Sequence, residues 1–108
     1  MIDWGAHAND TQFTVEEVLD FDRAIGVALE FASRNRETLI IVTADHETGG
    51  ICSVDGDMKT GKVSAKFIST DHTAVMVPVF AYGPGAELFT GIMENTDIHK
   101  KMKQLLIK

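Results

Sequence analysis

The feature that most constrains the fold is a short apolar run at residues 39–42, which follows a long helical pattern. The run reads Leu-Ile-Ile-Val without polar alternation, as is typical of a strand buried on both faces. Before it, apolar residues recur at helical spacing over residues 15–34, and Thr14 with Glu17 forms a capping-box pattern that predicts the helix start. A helix that leads into a buried strand indicates an α/β fold, with helices packed on a mostly parallel sheet.

The rest of the chain predicts smaller elements around that core. Residues 51–54 and 62–67 flank turn signals and predict a small peripheral β-hairpin. A second apolar run at residues 75–82 contains Pro78, so its strand should begin late or lie near an edge. Polar cap residues from Asn95 onward predict a terminal helix, whose C-terminal dipole end is favoured by Lys100, Lys101, Lys103 and Lys108.

Composition limits the class of protein. The 108 residues are 44% hydrophobic, which suffices for one core, and without repeats or linkers we expect residues 1–108 to form a single domain. A net charge of −6 argues against a nucleic-acid partner or an anionic membrane surface. The apolar runs are far shorter than the roughly 20 residues of a membrane span. The single cysteine, Cys52, cannot form an internal disulfide.

Three of the four histidines lie either directly after an aspartate or four residues after one. Imidazole and carboxylate together are a ligand set that suits zinc. One pair follows the buried strand directly, at the end of the strand where open α/β sheets bind ligands. Neighbouring loops would have to supply the other ligands. Each histidine taken singly is better interpreted as an exposed or hydrogen-bonded loop residue, and it is the three together that favour a metal site. The three pairs are Asp3 with His7, Asp45 with His46, and Asp71 with His72.

Longer motifs surround these pairs and occur in a fixed order. Residues 2–7 read Ile-Asp-Trp-Gly-Ala-His, and residues 43–50 read Thr-Ala-Asp-His-Glu-Thr-Gly-Gly. Asp71-His72-Thr73 precedes Val-Pro-Val-Phe-Ala-Tyr-Gly-Pro-Gly-Ala at residues 77–86, and Asn-Thr-Asp-Ile follows at residues 95–98. Over nearly the whole chain this sequence resembles the C-terminal part of the alkaline phosphatase family. The resemblance implies that residues 1–108 are a partial domain of that family's α/β/α fold.

The resemblance also implies a set of metal ligands and a reaction. Asp3, His7 and His72 would bind one zinc ion, and Asp45 and His46 would bind a second. In this family the two zinc ions flank the phosphate group during hydrolysis of a phosphate monoester through a phosphoenzyme intermediate. The implied cofactors are therefore zinc at two sites and magnesium, whose ligands would lie mostly outside this chain. The fourth histidine, His99, has no counterpart in that scheme.

Several parts of the family's machinery precede these motifs and have no match in the chain. They are the nucleophilic serine, the aspartate that completes the second zinc site and the arginine that grips phosphate. We therefore assign no catalytic residue here, interpret the serines and threonines as caps, turn and strand residues, and expect the isolated chain to be an inactive fragment. Because strands that flank residues 39–42 in a whole enzyme would be absent, homodimerisation or other self-association is expected.

Other functions stay open from the sequence. The wider superfamily uses similar ligands in metal-dependent phosphohydrolases, phosphomutases and sulfatases, and a zinc-binding module without catalysis would keep the same loops. The Glu-Thr-Gly-Gly extension at residues 47–50 favours a phosphatase. Family resemblance alone implies export of the parent protein to the periplasm or the cell exterior. It does not indicate a preferred phosphate ester.

Overall fold

Three α-helices, six short strands and one 3-10 helix make up the secondary structure of residues 1–107, which the computed structural model describes. Lys108, the last lysine of the predicted terminal helix, lies outside the described residues. In chain order the elements are α1 (Ile2–His7), α2 (Thr11–Asn35), β1 (Ile40–Thr43), β2 (Glu47–Thr48), β3 (Cys52–Asp57), β4 (Lys62–Lys66), β5 (His72–Thr73), β6 (Val79–Tyr82), the 3-10 helix (Ala86–Phe89) and α3 (Asn95–Leu106).

The long helix α2 begins at Thr11, one turn before the predicted start. Asp10 caps it, because its Oδ1 accepts a hydrogen bond of 3.0 Å from the backbone N–H of Phe13. Thr14 lies inside the first turns, and its hydroxyl donates back to the Asp10 carbonyl at 2.7 Å. The predicted helix is present, but the predicted capping box at Thr14 and Glu17 is wrong, since an aspartate four residues earlier takes the capping role.

All three strand pairs in the described residues are antiparallel: β1 with β6, β2 with β5, and β3 with β4. The mostly parallel sheet predicted from the sequence is therefore not seen in this part of the chain. A parallel pair needs a long crossover, usually a helix, whereas loops and a hairpin occupy the chain between β1 and β6. Strand β1 is half-buried rather than buried on both faces, because in the described residues it pairs with β6 alone.

The chain forms two compact units, and α2 contributes to both. The first unit contains Met1–Ile25 and His46–Met76. Its β3–β4 hairpin confirms the prediction and is mostly exposed. The short helix α1 packs closely on the start of α2, because a Cβ atom at Gly5 would lie only 2.8 Å from Thr14 Oγ1. Buried residues at this junction include Gly5, Ala6, Thr14 and Thr48.

The second unit contains Gly26–Asp45 and the described residues from Val77 onward. Strand β6 begins directly after Pro78, which confirms that the predicted strand starts late. Gly83 then turns the chain at φ +109°, where a Cβ atom would come within 2.2 Å of the Thr38 carbonyl oxygen. Phe89 and Ala32 are the buried apolar residues of this unit. The terminal helix α3 is present as predicted.

Large apolar side chains remain at the surface. On α2, Val27 is 70% exposed and Phe31 is 62% exposed, and Ile68 beyond the hairpin is 84% exposed. In residues 1–107, no helix combines the length and the apolar character needed to cross a bilayer.

Candidate metal centre

Helix α1 presents two of the predicted zinc ligands on one face. Asp3 and His7 are one helical turn apart, a spacing that places side chains next to each other. The Oδ1 atom of Asp3 lies 3.4 Å from Nε2 of His7. At only six residues the helix is too short to be stable alone, so its packing through Gly5 against α2 is what fixes this pair.

Strand β5 brings the third predicted ligand, His72, to the same place. Its partner across the ladder is Thr48 of β2. Nε2 of His72 lies 3.2 Å from Nε2 of His7 and 3.6 Å from Oδ1 of Asp3. The fold therefore gathers the three predicted ligand atoms around one point, although 65 residues separate His7 from His72.

The dimensions of this triangle suit a zinc ion. Zinc bound tetrahedrally at about 2.0–2.2 Å has ligand atoms about 3.3–3.6 Å apart, close to the observed edges of 3.2, 3.4 and 3.6 Å. The orientation of His7 also fits, because its Nδ1 donates to the carbonyl oxygen of Thr70 at 2.5 Å. That hydrogen bond leaves the Nε2 lone pair available to a metal. A donor set of two imidazoles and one carboxylate is one that zinc prefers.

Of the other two predicted ligands, His46 lies in this cluster and Asp45 lies in the loop before it. The His46 ring stacks on the His72 ring, with centroids 3.5 Å apart and an interplanar angle of 19°. Asp3, His46 and His72 offer ligand atoms that all lie within 4.8 Å of one another, so His46 belongs to the cluster. Asp45 directly precedes His46 and is exposed in the loop between β1 and β2.

Thr48 contacts two of these groups and was missed in the sequence. Its side chain is buried, its hydroxyl donates to Asp3 Oδ1 at 2.7 Å, and His46 Nδ1 lies 3.2 Å from the same oxygen. A hydroxyl has one proton to donate, so Thr48 accepts from Nδ1–H of His46. His46 is then the tautomer that carries its proton on Nδ1. The signal in the sequence was the spacing from His46 to Thr48, which in extended chain puts both on one side.

The surroundings of Asp3 favour its ionised form. The hydrogen bond from Thr48 is the largest influence and lowers the pKa of Asp3, against an opposing effect of partial burial. The imidazoles of His7, His72 and His46 lower the pKa further. The ionised carboxylate is the form that binds a metal.

Glu47, next to Thr48, was also missed. Its carboxylate accepts hydrogen bonds from the hydroxyl of Thr73 and from the backbone N–H groups of Gly50 and Ile51. Burial is the largest single influence and acts to raise the pKa of Glu47, but these hydrogen bonds together lower it. The glutamate is thus an ionised acceptor at the turn that joins β2 to β3.

The residues interpreted as structural make structural contacts. Ser33 donates to the Glu30 carbonyl inside α2, and the Ser69 hydroxyl accepts from the backbone N–H of Asp71. Ser53 and Ser64 lie in the strands of the exposed hairpin. His99 lies in α3, which belongs to the second unit.

Comparisons of the sequence with known proteins all match phosphatases. The sequence profile described as alkaline phosphatase matches residues 1–69 and 53–107. Alkaline phosphatase 4 of Bacillus subtilis is 32% identical over 163 residues, which cover 89% of this chain and 35% of the relative. Streptomycin-6-phosphate phosphatase of Streptomyces griseus is 37% identical over 114 residues, covering 90% of this chain and 25% of that protein.

A solved structure also resembles this chain closely. The alkaline phosphatase from the Antarctic bacterium TAB5 superimposes with a TM-score of 0.87 at 44% identity, over 96% of this chain and 32% of that one. The chain thus spans about a third of the length of this structure and of the Bacillus relative. The alignment with the Bacillus protein is longer than this whole chain, so that relative carries additional residues within the matched region.

Proposed function

Because this chain belongs to the alkaline phosphatase family, we propose that it is part of a phosphate monoester hydrolase and that Asp3, His7 and His72 form one of its zinc sites. The observation that carries the proposal is the triangle of Asp3 Oδ1, His7 Nε2 and His72 Nε2, whose edges of 3.2–3.6 Å suit tetrahedral zinc. The family match supports phosphomonoesterase chemistry, and the geometry supports the choice of ligands.

The chain's own residues prepare this site for a cation. Asp3 supplies a negative charge, and Thr48 holds that carboxylate in place through a hydrogen bond of 2.7 Å. Thr70 orients His7 through its carbonyl oxygen. When bound, zinc would supply Lewis acidity that stabilises negative charge on a phosphoryl oxygen. The side chains of Asp3, His7 and His72 are 36–49% exposed, so a substrate phosphate could reach them.

A second zinc site in the intact protein would take Asp45 and His46 from this chain. The contact of 3.2 Å between the Thr48 hydroxyl oxygen and Nδ1 of His46 orients this imidazole and supports its assignment as a ligand. Two ligands are fewer than a structural or catalytic zinc requires, so the remaining ligand must come from another part of the protein. Several expectations from the family likewise remain predictions: magnesium, the serine nucleophile, membership of residues 1–108 in one larger catalytic domain with a parallel sheet, and export. Self-association, expected because strands beside residues 39–42 would be absent, also remains a prediction.

Zinc titration by isothermal calorimetry tests the proposed site. The chain should bind about one zinc ion tightly, and the variants His7→Ala and His72→Ala should each bind it much more weakly. The alternative triangle of Asp3, His46 and His72 predicts instead that His46→Ala weakens the first zinc and His7→Ala does not. That second result would contradict the proposed ligand set.

Replacing Thr48 with valine should weaken zinc binding by about 10- to 100-fold, since groups that orient metal ligands have effects of that size. Valine keeps the branched shape but removes the hydroxyl that bonds to Asp3 and His46. Thr48→Ser should retain most of the affinity. Thr90→Val is the matched control, because the Thr90 hydroxyl donates to the Glu87 carbonyl in the second unit, whereas the three proposed ligands belong to the first. Equal affinity of Thr48→Val and the control would contradict this role.

A further inference from the structure

We propose that Glu47 is a positioning residue that holds His72 and the Thr70 carbonyl in the arrangement a metal needs. This inference rests on the zinc site proposed above and concerns a residue outside the ligand set. Glu47 lies in β2 opposite Thr73 of β5, the residue directly after His72. One carboxylate oxygen accepts from both Thr73 Oγ1 and the Gly50 N–H, and the other accepts from the Ile51 N–H.

The carboxylate therefore joins two segments that are far apart in sequence. Its bonds to Gly50 and Ile51, each 3.0 Å, fix the turn after β2. Its bond to Thr73 fixes β5 beside β2. Hydrogen bonds to a charged acceptor are stronger than neutral ones, so this junction is more rigid than a two-residue ladder would be alone.

The turn that Glu47 fixes also holds the loop before β5. Gly49 N–H donates to the Asp71 carbonyl at 2.9 Å, and the Gly49 carbonyl accepts from Ile68 and Ser69 at 3.0 and 3.1 Å. Gly49 adopts φ +85°, and a Cβ atom there would lie 2.8 Å from the Phe67 ring and 3.0 Å from the Ala6 carbonyl. The turn is thus packed between helix α1 and the loop.

That loop carries two groups of the metal site. His72 supplies Nε2 to the triangle, and the Thr70 carbonyl sets the orientation of the His7 ring. Glu47 acts on both through Thr73 and the turn, without donating an atom to the metal. Three donors already occupy its two oxygens, which favours a positioning role over ligation.

Two variants distinguish the positioning of the histidines by Glu47 from a general contribution of Glu47 to folding. Glu47→Gln preserves shape but places an amide N–H₂ where one oxygen accepted, so a donor then faces a donor. Thr73→Val removes only the cross-strand hydroxyl, and Thr73→Ser restores it. Asp57→Asn is the matched control, because Asp57 likewise accepts from a backbone N–H and a threonine hydroxyl but does so at the tip of the exposed hairpin.

The experiment combines zinc calorimetry with NMR of the metal-free chain, where the His7 and His72 rings have centroids 5.0 Å apart and should give a nuclear Overhauser effect. We expect Glu47→Gln and Thr73→Val to lose that signal and to bind zinc about 10- to 100-fold more weakly, with Thr73→Ser and Asp57→Asn unchanged. Retention of both the signal and the zinc affinity in both variants would overturn the inference and leave the zinc site intact. If the unmodified chain binds no zinc while both variants lose the signal, the zinc site fails and the positioning of the histidines by Glu47 is upheld.

Discussion

Replacing His72 with alanine should lower the affinity for zinc by at least about 100-fold. Structural zinc sites with four ligands bind with about 10–16 kcal/mol, so one ligand accounts for about 3 kcal/mol, or about 100-fold. His72 supplies the atom that lies 3.2 Å from His7 Nε2 and 3.6 Å from Asp3 Oδ1. Competition calorimetry against a chelator of known affinity measures the change.

The matched control for this change is His99→Ala. His99 is the histidine of α3, in the second unit, so its removal should leave zinc affinity unchanged. Circular dichroism of both metal-free variants checks that each retains the helices of the unmodified chain. Loss of affinity in His99→Ala, or full affinity in His72→Ala, would contradict the assignment of His72 as a ligand.

Phosphatase activity should be absent from the isolated chain and present when the chain replaces its matched region in the TAB5 alkaline phosphatase. That exchange is structurally reasonable, because the two superimpose with a TM-score of 0.87 over 96% of this chain. In the chimera, His72→Ala should reduce hydrolysis of p-nitrophenyl phosphate by at least about 1,000-fold, since metal-assisted stabilisation of the transition state supplies several kcal/mol.

The chimera carrying His99→Ala is the control and should keep its activity. A chimera that is folded and loaded with zinc yet inactive would contradict the proposal that these residues serve a phosphatase. Hydrolysis by the isolated chain that His72→Ala abolishes would contradict the expectation that the chain alone is inactive. Rates are compared with buffer alone at the same zinc concentration, so that hydrolysis by free metal is subtracted.

Local sequence patterns predicted the larger elements well and the pairing of strands poorly. Helix α2 and helix α3 follow from apolar residues at helical spacing, and Pro78 correctly delayed the start of β6. Strand direction depends on which distant segments meet, and the apolar run before Thr43 carries no information about that. Local sequence patterns therefore could not predict that β1 pairs with β6 in antiparallel orientation.

Some residues of the candidate site could be named from the sequence, and others could be identified only from the structure. The resemblance named Asp3, His7 and His72, and the structure supplies the distances between their atoms, which suit a zinc ion. Their role as ligands stays a prediction. The spacing from His46 was the one signal for Thr48, whereas Glu47 could not be identified in advance, because a glutamate at a turn is an ordinary residue. Only the contacts made after folding distinguish Glu47.

Anomalous diffraction at the zinc edge, from crystals of the chain grown with zinc, shows directly whether Asp3, His7 and His72 bind one zinc ion. We expect one peak that lies within about 2.2 Å of all three atoms: Asp3 Oδ1, His7 Nε2 and His72 Nε2. A zinc peak bound instead by Asp3, His46 and His72 with His7 turned away would contradict it, as would crystals in which no zinc lies at the cluster.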